Sequence, residues 1–197
     1  MSLRFILFLF VTSVAVSDVN AQLVKYDIML FNERIGTMVI TRKIQGDTAE
    51  LYTLESRAKA NFLWIKRENY SRYDVEYRHG KLYSSEAKEI ENGKLKRWNK
   101  VRLEGNEYEI EGNKGKKMLS GAIVFSVVKM FFENGTKQQK LFYESEAEIA
   151  SLKQTSPGTM EYNGSDGSRN VYIFKDGKLV AAETHVSIAS VKLVRAN

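Results

Sequence analysis

EIENGKLKRWNKVRLEGNEYEIE, residues 89–111, folds back on itself in a register that its own chemistry selects. If Gly105-Asn106 is a two-residue hairpin loop, Leu103 faces Tyr108, Arg102 faces Glu109, Val101 faces Ile110 and Lys100 faces Glu111. Apolar then meets apolar and basic meets acidic. Asn92-Gly93 does the same for the preceding hairpin, setting Glu91 against Lys94, Ile90 against Leu95 and Glu89 against Lys96. Two successive hairpins that agree in this way make a meander.

The same period continues on both sides. Tyr73, Val75 and Tyr77 alternate with Arg72, Asp74, Glu76 and Arg78, as in a strand with one face buried. His79-Gly80 reads as a turn, and Asp176-Gly177 as a further tight hairpin that brings Phe174 opposite Leu179 and Ile173 opposite Val180. One segment departs from the pattern. In GAIVFSVVKMFFENG, residues 121–135, a helical spacing gathers Ala122, Ser126, Lys129 and Glu133 on one narrow stripe and leaves the rest apolar. Ser120 would cap its start and Asn134-Gly135 would end it; its β-branched residues keep a strand reading open. The expected fold is mainly β: an antiparallel meander forming a curved sheet or an open or closed barrel, with one short buried helix at about 120–133 on its concave face.

The ends of the chain carry a different signal. Arg4 is followed by an apolar run, Phe5 to Val16, shorter than the ~20 residues that span a bilayer as a helix, and then by polar Ser17, Asp18 and Asn20. Val19-Asn20-Ala21 suits a signal peptidase, so residues 1–21 are expected to be a cleavable signal peptide, cut between Ala21 and Gln22, and 22–197 a single β-rich domain. The chain has no Cys, which leaves no lipidation site after the cut, no disulfide framework and no thiolate metal ligand. The expected address is the periplasm or the extracellular space, not as a lipoprotein. Net charge is +6, from 30 Lys and Arg against 24 Asp and Glu, but the basic residues alternate with acidic ones rather than forming a block, which argues against nucleic acid as a partner.

Candidate chemistry is sparse. Glu183 and His185 share a strand face but supply too few ligands for a metal, and His79 stands alone in its turn. Ser126-Val127-Val128-Lys129 matches an S-x-x-K pattern without the companion elements such enzymes carry, and Ser85-Glu86-Ala87-Lys88 repeats the spacing on a strand. Glu144, Glu146 and Glu148 would alternate on one strand face, solvated or holding a hard cation. Asn163-Gly164-Ser165-Asp166-Gly167 reads as a turn between strands. No catalytic, cofactor-binding or metal-ligating residue is therefore assigned, and no cofactor is expected.

Tyr26-Asp27-Ile28, the Ile35-Gly36 step, the charged hairpins, a helix after Ser120, and Asp166-Gly167, Asn170, Tyr172 and Gly177 together resemble a family of exported bacterial proteins of unknown function, over Tyr26 to Val194. Phe174 stands where a second tyrosine is expected. The resemblance implies a curved antiparallel sheet wrapped around a helix, as in lipoprotein-carrier half-barrels, and brings no catalytic residues. The functional expectation is a non-enzymatic envelope protein that binds an apolar small molecule or a partner protein without stable membrane insertion. Phe125, Val128, Phe132, Trp64 and Trp98 are the candidate lining of its apolar pocket. A hydrolase with an unrecognised site and an outer-membrane β-barrel are the alternatives.

Overall fold

The computed structural model describes residues 20–62, 65–164, 167–186 and 189–196. The chain first builds a run of hairpins: β1 (Asn20–Leu30), β2 (Glu33–Gln45), β3 (Ala49–Phe62), β4 (Ile65–Arg78), β5 (Lys81–Glu91), β6 (Lys94–Glu104), β7 (Glu107–Gly112) and β8 (Gly115–Ser120). Residues 121–152 then leave the sheet. They carry one helical turn, α1 (Val127–Met130), a 3₁₀ turn at Gly135–Lys137, and a small hairpin of β9 (Lys140–Tyr143) and β10 (Glu148–Ser151). The meander resumes with β11 (Lys153–Ser156), β12 (Thr159–Asn163), β13 (Arg169–Lys175), β14 (Lys178–Val186) and β15 (Ala189–Arg195).

These strands form one 13-stranded antiparallel sheet that is not closed. Its edges are β8 and β11, and its middle is where the last strand meets the first, with Tyr26 opposite Arg195 and Leu30 opposite Val191. The expected β class and meander are what the structure has. At Gly105-Asn106 the register follows the reading residue for residue, from Leu103 opposite Tyr108 to Lys100 opposite Glu111.

Two other hairpins slip by one residue. Beyond Asn92-Gly93, Glu91 faces Lys94 and Ile90 faces Leu95, but Glu89 faces Arg97 and not Lys96. Beyond Asp176-Gly177, Phe174 faces Leu179, while Ile173 faces Ala181 and not Val180. The same insertion recurs in β2, where Ile35 is the extra residue, and in β5, where Tyr83 is. Asn92, Asp176 and His79 all have left-handed φ, as does the glycine after each, which gives the tight turns a twist matched to the sheet. A bulge just past such a turn bends the strand and increases that twist, so the repeated insertion curls the sheet.

The curl creates a concave face, and residues 121–152 fill it. Tyr26, Ile40, Tyr52, Tyr77 and Val101 from the sheet pack with Phe125, Val128, Met130, Leu141 and Phe142 of this plug in one continuous core. Here the helix is shorter than expected. It is confined to Val127–Met130. Ser120 ends β8 rather than capping a helix, and the cap position falls to Ser126, whose side chain makes no capping bond. Residues 122–125 form no helix or strand, with Ile123 and Phe125 buried and Val124 exposed between them. Tertiary hydrogen bonds override the helical spacing: Leu82 N–H donates to Ile123 O at 2.8 Å, and Phe142 N–H donates to Phe125 O at 3.0 Å. Asn134 begins the 3₁₀ turn, accepting from Thr136 N–H at 3.0 Å. Of the expected leader, residues 1–19 lie outside the described residues; Ala21 and Gln22 sit in β1 opposite Lys43 and Arg42.

Gly36 explains the Ile35-Gly36 step. A Cβ there would lie 2.0 Å from Arg57 O and 2.6 Å from Ala58 Cα, both backbone atoms of the neighbouring strand. Gly36→Ala is expected to destabilise the domain by about 2–3 kcal/mol, since backbone cannot step aside as a flexible side chain does. Gly80→Asn, in an open turn at φ +73°, should stay within about 1 kcal/mol. Equilibrium urea denaturation of the two variants measures the contrast.

Candidate functional site

Three groups of polar side chains hold the plug in place, and they contain Ser126, Lys129, Glu144 and Glu146 of the candidate residues. The deepest centres on Glu144, in the turn between β9 and β10, which is 0% exposed. Its carboxylate accepts Val127 N–H and Val128 N–H, each at 3.2 Å, and so caps α1 from outside the helix. Asn99 of β6 donates through Nδ2 to Glu144 O at 2.8 Å and Ser145 O at 2.9 Å, which ties the same turn to the sheet. The Ser126 hydroxyl lies beside the carboxylate and the Tyr77 hydroxyl but makes no well-formed hydrogen bond to either. Burial pushes the Glu144 carboxyl up to about 7, against the lowering effect of Ser126 and the Val128 and Val127 amides. Burial likewise holds the Tyr77, Tyr73 and Tyr172 hydroxyls well above their ordinary values.

The second group lies at the rim. Lys129 is 5% exposed, with Nζ 3.4 Å from Glu133, 3.8 Å from Glu50 and 4.4 Å from the centre of the Tyr77 ring. Arg42 reaches Glu50 at 3.2 Å, and the Tyr52 hydroxyl donates to the same carboxylate. Burial opposes ionisation of Glu50, but the Tyr52 hydrogen bond and the Lys129 and Arg42 charges outweigh it and hold its carboxyl below the usual value. In the third group, Glu146 pairs with Arg97 at 2.5 Å and Lys114 at 3.2 Å. Arg97 continues to Glu89 at 3.4 Å, and Glu89 accepts from the Tyr73 hydroxyl at 2.6 Å.

Glu144, Glu146 and Glu148 therefore share no strand face, and the first two are not solvated. A turn separates them: one caps α1, one binds Arg97 and Lys114, and Glu148 accepts from the Tyr162 hydroxyl at 3.0 Å. No signal beyond an acid following Leu141-Phe142-Tyr143 could have placed Glu144 inside, and nothing marked Asn99 as its anchor. Ser126 and Lys129 do come together on α1, yet Ser126 is 0% exposed and Lys129 is committed to Glu133 and Glu50. Glu183 and His185 form a single 3.8 Å pair, with His185 Nδ1 bonded to Ser190 Oγ at 2.6 Å. Among the described residues no three His, Cys, Asp or Glu side chains converge on a metal position. Gly164 N–H donates to Ser168 O at 2.7 Å across the turn between β12 and β13, where residues 165 and 166 lie outside the described ones.

The described candidate lining residues differ in setting. Phe125 and Val128 are buried in the core, and Phe132 packs on its edge with ring centres 5.7 Å from Tyr52. Trp98 alternates with buried Asn99 and so takes the opposite face of β6, and Trp64 lies outside the described residues. Clefts of about 270, 320 and 380 Å³ open at the surface among the described residues.

Residues 26–196 match the profile of a Domain of unknown function (DUF6134). The fold is similar to the crystal structure of a beta-barrel-like protein of Domain of Unknown Function DUF1849 from Brucella abortus. That likeness has a TM-score of 0.52 at 15% identity and covers 93% of this chain and 98% of that one. No curated protein matches the chain.

Glu144 makes a measurable pH signature. Its folded pKa of about 7 lies above its ordinary 4.5, so the native state holds this proton more tightly than the unfolded chain does. The contribution favours folding at low pH and is lost as pH rises from 4.5 towards 7, by roughly 3 kcal/mol in all. Glu144→Gln keeps an oxygen for the two amides and cannot titrate. Urea midpoints taken across this range should fall with pH in the parent relative to the variant, and parallel curves would remove Glu144 from the account.

Proposed function

We propose, from the premise that the chain belongs to the Domain of unknown function (DUF6134) family, that it is an exported envelope domain that works by binding at its surface. The observation that carries this reading is the plug. The concave face, where a half-barrel carrier would hold its cargo, is occupied by Val128, Met130, Leu141 and Phe142 of the chain itself. Binding is then left to the outside of the molecule and to the rims of its clefts.

Export is supported by Arg4, the Phe5–Val16 run and Val19-Asn20-Ala21, with cleavage before Gln22 leaving nearly all of β1 in place. The periplasm or the extracellular medium is the corresponding address. A hydrolase has less support, because Ser126 and Glu144 are enclosed in the core and serve the packing of α1. An outer-membrane barrel has less still. The outward face carries Arg72, Asp74, Lys100 and Arg102, all exposed, where lipid contact needs an uncharged band.

The full-length chain with a C-terminal tag, expressed in a Gram-negative host, should appear in the osmotic-shock fraction with Gln22 as its first residue. Retention in the cytoplasm with Met1 intact would overturn the export reading. Parent and Ser126→Ala protein should behave identically towards a panel of nitrophenyl esters. Turnover that disappears with Ser126 would overturn the binding role in favour of a hydrolase.

A further inference from the structure

The open seam of the sheet carries a site of its own. Where β8 ends and the plug emerges, a cleft of about 320 Å³ runs between residues 122–125 and residues 137–142, with Ile149 beside it. Phe125 and Phe142 lie beneath it, both buried in the core. Its margins are Val124, 53% exposed, and Ile149, 36% exposed, large apolar side chains that the fold leaves in water. Its walls are tied by two backbone bonds, Leu82 N–H to Ile123 O and Phe142 N–H to Phe125 O.

The polar part of the same cleft has one sign. Lys137 and Lys140 line it together with Gln138 and Gln139, and no Asp or Glu does. Some exposed lysines elsewhere are matched, Lys88 with Glu86, Lys96 with Glu91, Lys114 with Glu146 and Lys116 with Glu109, while others, such as Lys81, Lys94 and Lys100, are not. What marks this cleft is that two lysines share it with no acid. Among the described residues, Lys137 and Lys140 have no such partner, and both are exposed. A cleft of mixed lining, with exposed apolar side chains on its margin and two lysines but no acid beside them, is complementary to a molecule with a hydrocarbon chain and an anionic head.

We propose that this seam cleft binds a monomeric anionic single-chain amphiphile, a fatty-acid-like carboxylate. Its head is held by the Lys137 and Lys140 amines, and its chain lies in the cleft against Val124 and Ile149. The inference rests on the surface-binding reading above and gives it a ligand class. A free amphiphile fits better than a bilayer surface because the exposed Val124 and Ile149 border a cleft between two segments of chain rather than a flat apolar face.

The test is isothermal titration calorimetry of the protein as purified from expression of the full chain, with laurate below its micelle concentration, alongside dodecyltrimethylammonium as a probe of equal chain and opposite charge. Saturable one-to-one binding of laurate is expected, with the cationic probe weaker by about tenfold or more. The double variant Lys137→Glu, Lys140→Glu alters exposed side chains and should lose about tenfold in laurate affinity. Val124→Asp, at an exposed position on the apolar margin, should lose a similar factor; circular dichroism confirms that both variants are folded. Absence of saturable laurate binding, equal binding of the two probes, or binding that survives either variant overturns the site. Co-sedimentation with anionic vesicles by a domain that does not bind laurate would also overturn it, in favour of a membrane surface. None of these outcomes touches the export experiment, so the site can fail while the exported-domain reading stands.

Discussion

Glu144 marks the place where an irregular stretch of chain is fastened to a regular one. The concave face of a curled, unclosed sheet must be kept dry, and residues 121–152 cover it with only one helical turn and one short hairpin of their own. A segment with so little internal hydrogen bonding needs outside partners for its backbone. The Glu144 carboxylate supplies two of them to α1, and Asn99 holds the turn from which that carboxylate projects. Hydrophobic contact alone would allow the plug to slide over the tyrosines of the sheet. A buried carboxyl with directional partners admits one position, at the cost of the desolvation that raises its pKa.

The sheet meets the plug halfway. Bulges at Ile35, Tyr83, Lys96 and Val180 concentrate twist beside the tight turns, and long tyrosines on the inner face reach across the space that the curl encloses. The outer face is held by neighbouring charges on one strand, such as Arg72 with Asp74 at 2.8 Å and Arg78 with Glu76 at 2.6 Å. At the free edges, β8 presents Lys116 and Lys117 and β11 is exposed throughout with Lys153 at its start, which discourages strand pairing between molecules.

What the sequence made legible follows from this division of labour. The hairpin at Gly105-Asn106 could be read to the residue because a one-residue slip there would set Val101 against a glutamate. The bulges were invisible for the opposite reason. Lys96 and Arg97 are both basic, and Val180 and Ala181 are both apolar, so either neighbour satisfies the pairing rule and only the curvature of the whole sheet chooses. The apolar run from Ile123 reads as buried in a helix or in a strand, and the choice was made by Leu82 and Phe142 from distant parts of the chain. Glu144 was unreadable because Glu-Ser-Glu-Ala-Glu has the spacing of an exposed strand, while the left-handed φ of 49° at Ala147, which breaks that strand, has no glycine to announce it.

The pairing of β1 with β15 has a consequence for how the molecule comes into being. Tyr26 donates to Leu179 O at 2.7 Å and lies opposite Arg195, so the earliest strand of the domain is completed by the last. Every other neighbour in the large sheet except this one is joined by a short local connection and can zip as it is made. A chain emerging from its N-terminus therefore accumulates two half-sheets, β1 to β8 and β11 to β15, with the plug strung between them. Each half has an unsatisfied edge in what will become the centre. The two halves become one sheet only through the pairing of β15 with β1, which makes β15 the clasp between them.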